Sequence, residues 1–250
     1  MKKLFAAVTV AAAVAAGAAS ATPISAGGTL SGVSILGTAS IYGVFGVKDP
    51  GDSGSTLAVL TSFASGSGNV FSFSATGEIG CCGGLDPGFT PDGAGGNMNV
   101  TGANGLSSLS GNSLIPLVGV FTTDTSPIGG VAPAALSFDS AAPSSLSPLL
   151  NQVFYIGDGR TGYNNAAGSA LAFTAPTTAT RLYLGVIDAF GFNGQSGFYS
   201  DNPGSFSVDV HLAAANGGVP EPASWALMIL GFGGAGAALR RRRRPLATAA

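Results

Sequence analysis

Between residues 27 and 212 no apolar periodicity of the helical kind lasts for three turns, whereas short alternations of apolar and polar positions, bounded by Gly, Pro, Asn or Asp, recur throughout. This pattern predicts strands over residues 34–45, 70–75, 116–121, 152–156, 170–174, 181–187 and 205–212. The last is the clearest. Phe206, Val208, Val210 and Leu212 fall on one face and Ser205, Ser207, Asp209 and His211 on the other, the signature of a strand with one face buried and one wet. Residues 83–111, richer in Gly, Asn and Asp, read as a long loop, and residues 133–148 as a Pro/Ser connection with room for one short helix. No fixed-period repeat and no internal boundary divides the stretch. The expectation is therefore one all-β body, a β-sandwich or jelly roll of short strands.

Two segments depart from alternation by being apolar throughout. Lys2 and Lys3 precede an Ala/Val-rich run over residues 4–16, after which Ala19-Ser20-Ala21 supplies the small side chains that a signal peptidase accommodates. A signal helix over residues 1–21, cut after Ala21 and ahead of Thr22-Pro23, follows, and with it export. Near the other end, residues 223–239 carry no charge. As a helix they span about 25 Å, slightly short of a typical hydrocarbon core. Pro222 suits the first helical turn and Trp225 the headgroup region, while Arg240, Arg241, Arg242, Arg243 and Arg244 hold the C-terminal end in the cytoplasm. An ordinary buried helix would leave those arginines without counterions, because no acid follows Glu221. The body, residues 22–218, is thereby placed outside the membrane, with residues 245–250 a short tail.

The order of parts in the C-terminal segment is more specific than its hydropathy. Pro220-Glu221-Pro222-Ala223-Ser224-Trp225-Ala226, then the apolar run, then the arginines, resembles the PEP-CTERM sorting signal in its PEPxxWA form over residues 219–244. The resemblance implies that an exosortase, a membrane cysteine protease or transpeptidase, cuts near Pro220-Glu221-Pro222 and passes the body to the cell surface or extracellular matrix. The protein is then the substrate, anchored in the membrane only until it is processed. Two prolines suit that role, since they hold the segment extended and free of hydrogen-bonded structure.

Composition narrows the function of the body. With 40 Gly, 9% charged residues and a mean hydropathy of +0.42, the chain is too apolar for disorder. Roughly 190 residues between the two ends suffice for a core without metals or disulfides. Between Thr22 and Pro220 only Lys48, Arg160 and Arg181 oppose eleven acids. Such a surface repels phosphate backbones, which argues against nucleic acid and in favour of cations or neutral sugars.

Candidate chemistry gathers near the end of the body. The strand over 181–187 runs into Asp188, a Gly/aromatic loop follows, and Asp201-Asn202-Pro203-Gly204 turns into the last strand. Because the loop returns the chain to the same end, Asp188, Asp201 and Asn202 meet at one rim. Hard cations take six to eight oxygens at about 2.4 Å, which two carboxylates, an amide oxygen and loop carbonyls can supply. By spacing alone, Asp201-Asn202-Pro203-Gly204 reads more simply as a β-turn capped by an Asx bond.

The segment over residues 179–212 resembles the calcium-dependent galactose-binding lectins of the PA-I type, jelly-roll proteins whose final hairpin carries strand, Asp, loop and Asn-Asn-x-Gly-Ser-Phe-x-Val in that order. It is similar as well to the domain ahead of many PEP-CTERM tails. The resemblance implies calcium ligated by Asp188, Asp201, Asn202 and the carbonyl of Phe198, with a further carbonyl near Ile79 and two sugar hydroxyls held on the metal. Asp201 stands where the lectins carry Asn, which adds charge for calcium, and the loop over 189–200 is longer than the lectin loop. Asp188, Asn202, Phe198 and Tyr199 are the expected ligand contacts. Phe190, Phe192, Phe198 and Tyr199 form either a sugar platform or the cover of a sheet edge.

Other residues fit quieter roles. Adjacent Cys81 and Cys82 in an oxidising compartment close a vicinal disulfide or pair with another chain, with two reduced loop cysteines as the alternative. Zinc lacks ligands, since His211 is the single histidine. Asp49, Asp52 and Asp158 read as turn acids, with a second calcium as a minor alternative. A hydrolase would need a base paired with a nucleophile, and a glycosidase two facing carboxylates; neither pattern occurs, so no enzymatic activity is expected. Two readings of the body stay open: a calcium-dependent binder of surface glycans or exopolysaccharide, and a structural surface or biofilm-matrix protein with at most a structural calcium.

Overall fold

The structure, a computed structural model, describes residues 21–138, 144–165, 167–214, 228–230 and 232. The chain divides into two compact units, residues 1–213 and 214–250. The first is built of short strands joined by turns and loops. They are β1 (Thr22–Pro23), β2 (Thr29–Leu36), β3 (Ala39–Ser40), β4 (Thr56–Leu57), β5 (Val59–Ser62), β6 (Val70–Cys81), β7 (Gly84–Phe89), β8 (Ala94–Thr101) and β9 (Leu109–Leu114). After these come β10 (Leu117–Thr122), β11 (Leu136–Phe138), β12 (Ser145–Leu146), β13 (Val153–Tyr155), β14 (Ala172–Thr174), β15 (Arg181–Val186), β16 (Asn193–Gln195) and β17 (Gly204–Leu212). Two single 3-10 turns, Phe190–Phe192 and Tyr199–Asp201, flank β16.

The strands make three sheets rather than the expected two. A seven-stranded sheet runs β1-β5-β15-β10-β13 with β3 and β4 attached at β15, a six-stranded sheet runs β12-β14-β6-β17-β2 with β7 attached at β6, and a four-stranded sheet runs β11-β9-β8-β16. The seven-stranded sheet lies between the other two, and its sequence reflects this. All six residues of β10 are buried, as are five of six in β15. Leu182, Leu184, Val186, Leu117 and Phe121 share one core with Phe71, Phe73, Phe206, Val208 and Val210 of the six-stranded sheet. Tyr183, Val118 and Val120 share a second core with Met98, Val100 and Leu109 of the four-stranded sheet. A strand buried on both faces has no polar alternation to show, which is why these runs read as continuously apolar.

Phenylalanine rings thread the first core: Phe63 and Phe71 lie 4.8 Å apart by centroid, Phe121 and Phe154 5.1 Å, and Phe154 and Phe173 5.0 Å. Offset and edge-on contacts of this kind add about 0.5–1.5 kcal/mol each beyond the area they bury. The strand read most clearly from sequence, β17, has the expected pattern. Phe206, Val208, Val210 and Leu212 are buried, and the strand pairs with β6 on one side and β2 on the other.

Three sequence expectations are corrected. Residues 83–111 are not a long loop: they hold β7, β8 and the start of β9. Gly and Asn are weak strand formers, yet Met98 and Val100 point into the second core while Asn97, Asn99 and Thr101 point out. Pairing with β9, Val100 opposite Leu109 and Asn99 opposite Ser110, completes the sheet. Residues 133–148 hold the short strands β11 and β12, with no helix among their described residues. The strand expected over 34–45 breaks after Leu36, where a turn at Gly37 and Thr38 carries the chain from the six-stranded sheet to β3 of the seven-stranded one.

In the second unit, Met228, Ile229, Leu230 and Phe232 are helical and exposed. Among the described residues no helix is long and apolar enough to cross a membrane. The rest of the apolar segment expected over 223–239 lies outside the described residues, as does the signal segment over 1–20 with Ala19. Ala21, the expected cut position, packs against the second core.

Candidate functional site

Asp188 follows the end of β15, where the chain leaves the seven-stranded sheet, and Asp201 and Asn202 precede β17 in the six-stranded sheet. The two strands are thus not a hairpin, as the lectin resemblance implied; they face each other across the first core, and the loop joins one sheet to the other. The loop nevertheless returns Asn202 to Asp188, whose Oδ2 accepts a hydrogen bond from Asn202 Nδ2 at 2.8 Å. The Asp188 Oδ1 accepts the Ala189 N–H at 2.7 Å.

Asp188, Asp201, Phe190, Phe198, Cys81 and Cys82 line one cavity of about 260 Å3. Asp188 is 4% exposed and Asn202 1% exposed. Burial pushes the Asp188 carboxyl up to about 7. The Asn202 and Ala189 hydrogen bonds hold it lower than burial alone would, while the charges of Asp201 and Asp52 add to the rise. The basic side chains of the body are engaged elsewhere: Arg181 pairs with Asp124 at 2.8 Å, Lys48 Nζ donates to the Ser53 carbonyl and Arg160 to the Gly168 carbonyl. A second feature of the site is an unmet acceptor. Asn202 Oδ1 is buried and has no hydrogen-bond partner, a state that costs about 1–3 kcal/mol.

The aromatic residues divide. Phe190 and Phe198 are 75% and 49% exposed with ring centroids 5.2 Å apart, and Phe198 sits in left-handed backbone at φ 69°. Tyr199 does not join them. It is fully buried, and its hydroxyl accepts the Asp188 N–H at 3.2 Å, so it supports the loop from beneath and cannot meet a ligand at the rim. Phe192 packs against the cores. Ile79 belongs to β6, paired with Gly204, and from that part of the chain it is Cys81 and Cys82, bonded to each other, that line the cavity.

The long loop is tied down by acids that read from sequence as turn residues. Buried Asp49 accepts hydrogen bonds from Ser40 Oγ, the Gly51 N–H and Ser196 Oγ at 2.7–2.9 Å. Asp52 accepts the Gly54 N–H and, across from the loop, the Ser200 N–H at 3.2 Å. Donors face both Asp49 oxygens, so its carboxylate is engaged in holding the loop. Sequence reasoning missed Asp92 altogether. It is 1% exposed and accepts Tyr155 Oη at 2.7 Å, the Asp158 N–H at 2.8 Å and the Asn164 N–H at 2.7 Å. Its setting in Pro91-Asp92-Gly93 looks like any turn, and nothing local signals burial. His211 shares a hydrogen bond with Thr29 Oγ1. Among the described residues no three acidic, His or Cys side chains converge, so a cation at the Asp188 site would rely on two carboxylates with amide and carbonyl oxygens.

Pro220, Glu221, Pro222, Trp225, Ala226 and Arg240 to Arg244 all lie outside the described residues, and the tail is recognised from its sequence. Residues 218–244 match the PEP-CTERM protein-sorting motif. The motif marks an exported protein, transiently anchored in the membrane and processed by an exosortase. The match covers the tail alone. No curated protein and no solved structure matches the chain.

Proposed function

We propose that the sorted body is a non-enzymatic, calcium-dependent glycan-binding module displayed at the cell surface or in the extracellular matrix. The observation that carries the reading is Asn202 Oδ1, a buried oxygen without a donor beside a buried carboxylate that has no cationic partner. With the Asn202 amide turned so that Oδ1 rather than Nδ2 faces Asp188, a cation between them would satisfy both. The donor set fits a hard ion: carboxylate oxygens of Asp188 and Asp201, the amide oxygen of Asn202 and the carbonyl of Phe198. Calcium held there would supply the Lewis acidity that draws sugar hydroxyls to the site.

The chain's own residues supply the remainder. Asp188 and Asp201 contribute the charge, the Asp49 and Asp52 tethers hold the loop that brings Asn202 to Asp188, and the exposed Phe190–Phe198 pair offers rings to the apolar face of a sugar. Surface glycans or exopolysaccharide are the partners in this reading, after signal peptidase has cut behind Ala21. A second reading, a structural matrix protein whose cation only stiffens the loop, draws on that same double tether at Asp49 and Asp52.

Calorimetric titration of calcium into the full chain in detergent, followed by a glycan array with and without chelator, tests the proposal. Calcium binding that disappears in the Asp188→Asn, Asp201→Asn double variant, together with a chelator-sensitive glycan signal, is the expected result. Calcium binding without any glycan signal selects a structural protein with a structural calcium, and absence of both calcium binding and glycan signal overturns the proposal and leaves a structural surface protein without one.

A further inference from the structure

Part of the cavity wall is a hairpin tip of unusual chemistry. Strands β6 and β7 are joined by two residues, Cys82 and Gly83, with Cys81 paired to Gly84. Both central residues have positive φ, 60° for Cys82 and 85° for Gly83, which is the type I′ turn that suits the twist of a hairpin. Gly adopts this conformation freely. Cys carries a Cβ and pays about 1 kcal/mol or more for it, yet here it is bonded through sulfur to its neighbour Cys81.

The tip is also stapled to the segment that bears the acid and the amide. The Gly83 N–H donates to the carbonyl of Asp201 at 2.8 Å, and the Gly80 N–H to the carbonyl of Pro203 at 2.7 Å. The two hydrogen bonds bracket Asn202. Whatever fixes the turn at Cys82 and Gly83 therefore adds to what holds Asp201 and Asn202 in place beside Asp188.

We propose that the Cys81–Cys82 disulfide is a redox-sensitive positioning element for Asp201 and Asn202, and that its reduction weakens cation binding in the cavity. The inference rests on the reading of that cavity as a calcium site. In the reductive step a dithiol gives up two electrons and two protons: the S–S bond breaks, two cysteine S–H bonds form, and the dithiol closes into its own disulfide. Freed from its neighbour, Cys82 leaves the left-handed region, the Gly83 N–H turns away from Asp201, and the carboxylate loses its fixed place. In an oxidising exterior the closed form is the resting one.

The test compares the full chain in detergent, oxidised and after treatment with dithiothreitol, by calcium titration and by hydrogen exchange at the Gly83 amide without calcium. Reduction is expected to weaken calcium binding about tenfold, the loss of roughly one hydrogen bond's worth of positioning, and to speed Gly83 exchange, both reversing on reoxidation. Two variants separate positioning from simple damage. Cys81→Ser with Cys82→Ser should bind as the reduced chain does. Cys81→Ser with Cys82→Gly, which keeps a residue at home at positive φ, should bind within about twofold of the oxidised chain and ignore the dithiol. Equal calcium affinity in both redox states overturns this inference and leaves the calcium reading standing. Failure of the oxidised chain to bind calcium overturns the two together.

Discussion

Replacing Asp188 with Asn should stabilise the metal-free protein at alkaline pH while removing its response to calcium. The carboxyl is 4% exposed and held at about 7, above its ordinary 3.8, by burial first and by the charges of Asp201 and Asp52 after that. A rise of that size corresponds to roughly 4 kcal/mol of preference for the neutral form. Between the two values the folded chain keeps a proton that the unfolded chain has released. The contribution of Asp188 to stability is therefore full below about 3.8 and is lost as pH rises through about 7. Asn has the same shape and no charge to desolvate. Its Oδ1 can still accept the Ala189 N–H, and Asn202 can turn its amide to present Oδ1 in place of Nδ2. At pH 8 in the presence of chelator the variant should exceed the parent by about 2–4 kcal/mol, and at pH 4 the two should agree within about 1 kcal/mol. Denaturant unfolding of the full chain at both pH values, parent and variant side by side, measures the difference. A variant less stable than its parent at pH 8, with the same loss at pH 4, would refute the reasoning and make Asp188 an ordinary structural acid.

Four further outcomes follow from the same geometry. Asp92→Ala strands the Tyr155 hydroxyl and the Asp158 and Asn164 N–H groups, and should cost about 3 kcal/mol in urea unfolding without changing calcium affinity. Asp49→Ala releases Ser40 and Ser196 and should cost about 2 kcal/mol while speeding hydrogen exchange at Gly197, whose N–H closes the loop on the Asp188 carbonyl. Phe190→Ala removes a ring that is 75% exposed. It should leave the unfolding midpoint within about 0.5 kcal/mol of the parent and calcium affinity unchanged, yet lower retention on a glycan column. Gly119→Ala drives a methyl to 2.8 Å from the Phe154 ring in the middle of the first core, and thermal unfolding should register about 1–3 kcal/mol of overpacking.

What could be read in advance depended on whether the information was local. Strand β17 was legible because one face is buried and the other wet, so the alternation from Phe206 to Leu212 is complete. Strands β10 and β15 were legible as strands but not as the middle of three layers, since a run buried on both faces does not say what covers either face. The four-stranded sheet was hidden because its inward positions on β8 are Met98 and Val100 alone, set among Gly and Asn that by propensity belong in turns. At the candidate site, the return of Asn202 to Asp188 was legible, whereas the crossing from one sheet to the other was not. The burial of Tyr199 and the roles of Asp49 and Asp92 depend on partners far away in the chain, such as Ser196 for Asp49 and Asn164 for Asp92. The sorting tail needed no fold, because its motif lies in the order of its residues.

The position of β17 bears on the order of events during export. This strand, the last of the body, sits in the interior of its sheet, with β6 on one side and β2, nearly the whole length of the body earlier, on the other. Until residue 212 has emerged from the translocation channel, β2 and β6 present unpaired edges and the first core lacks Phe206, Val208 and Val210. The sorting motif begins only a few residues later, at 218. Completion of the fold and arrival of the tail at the membrane are in this way nearly simultaneous.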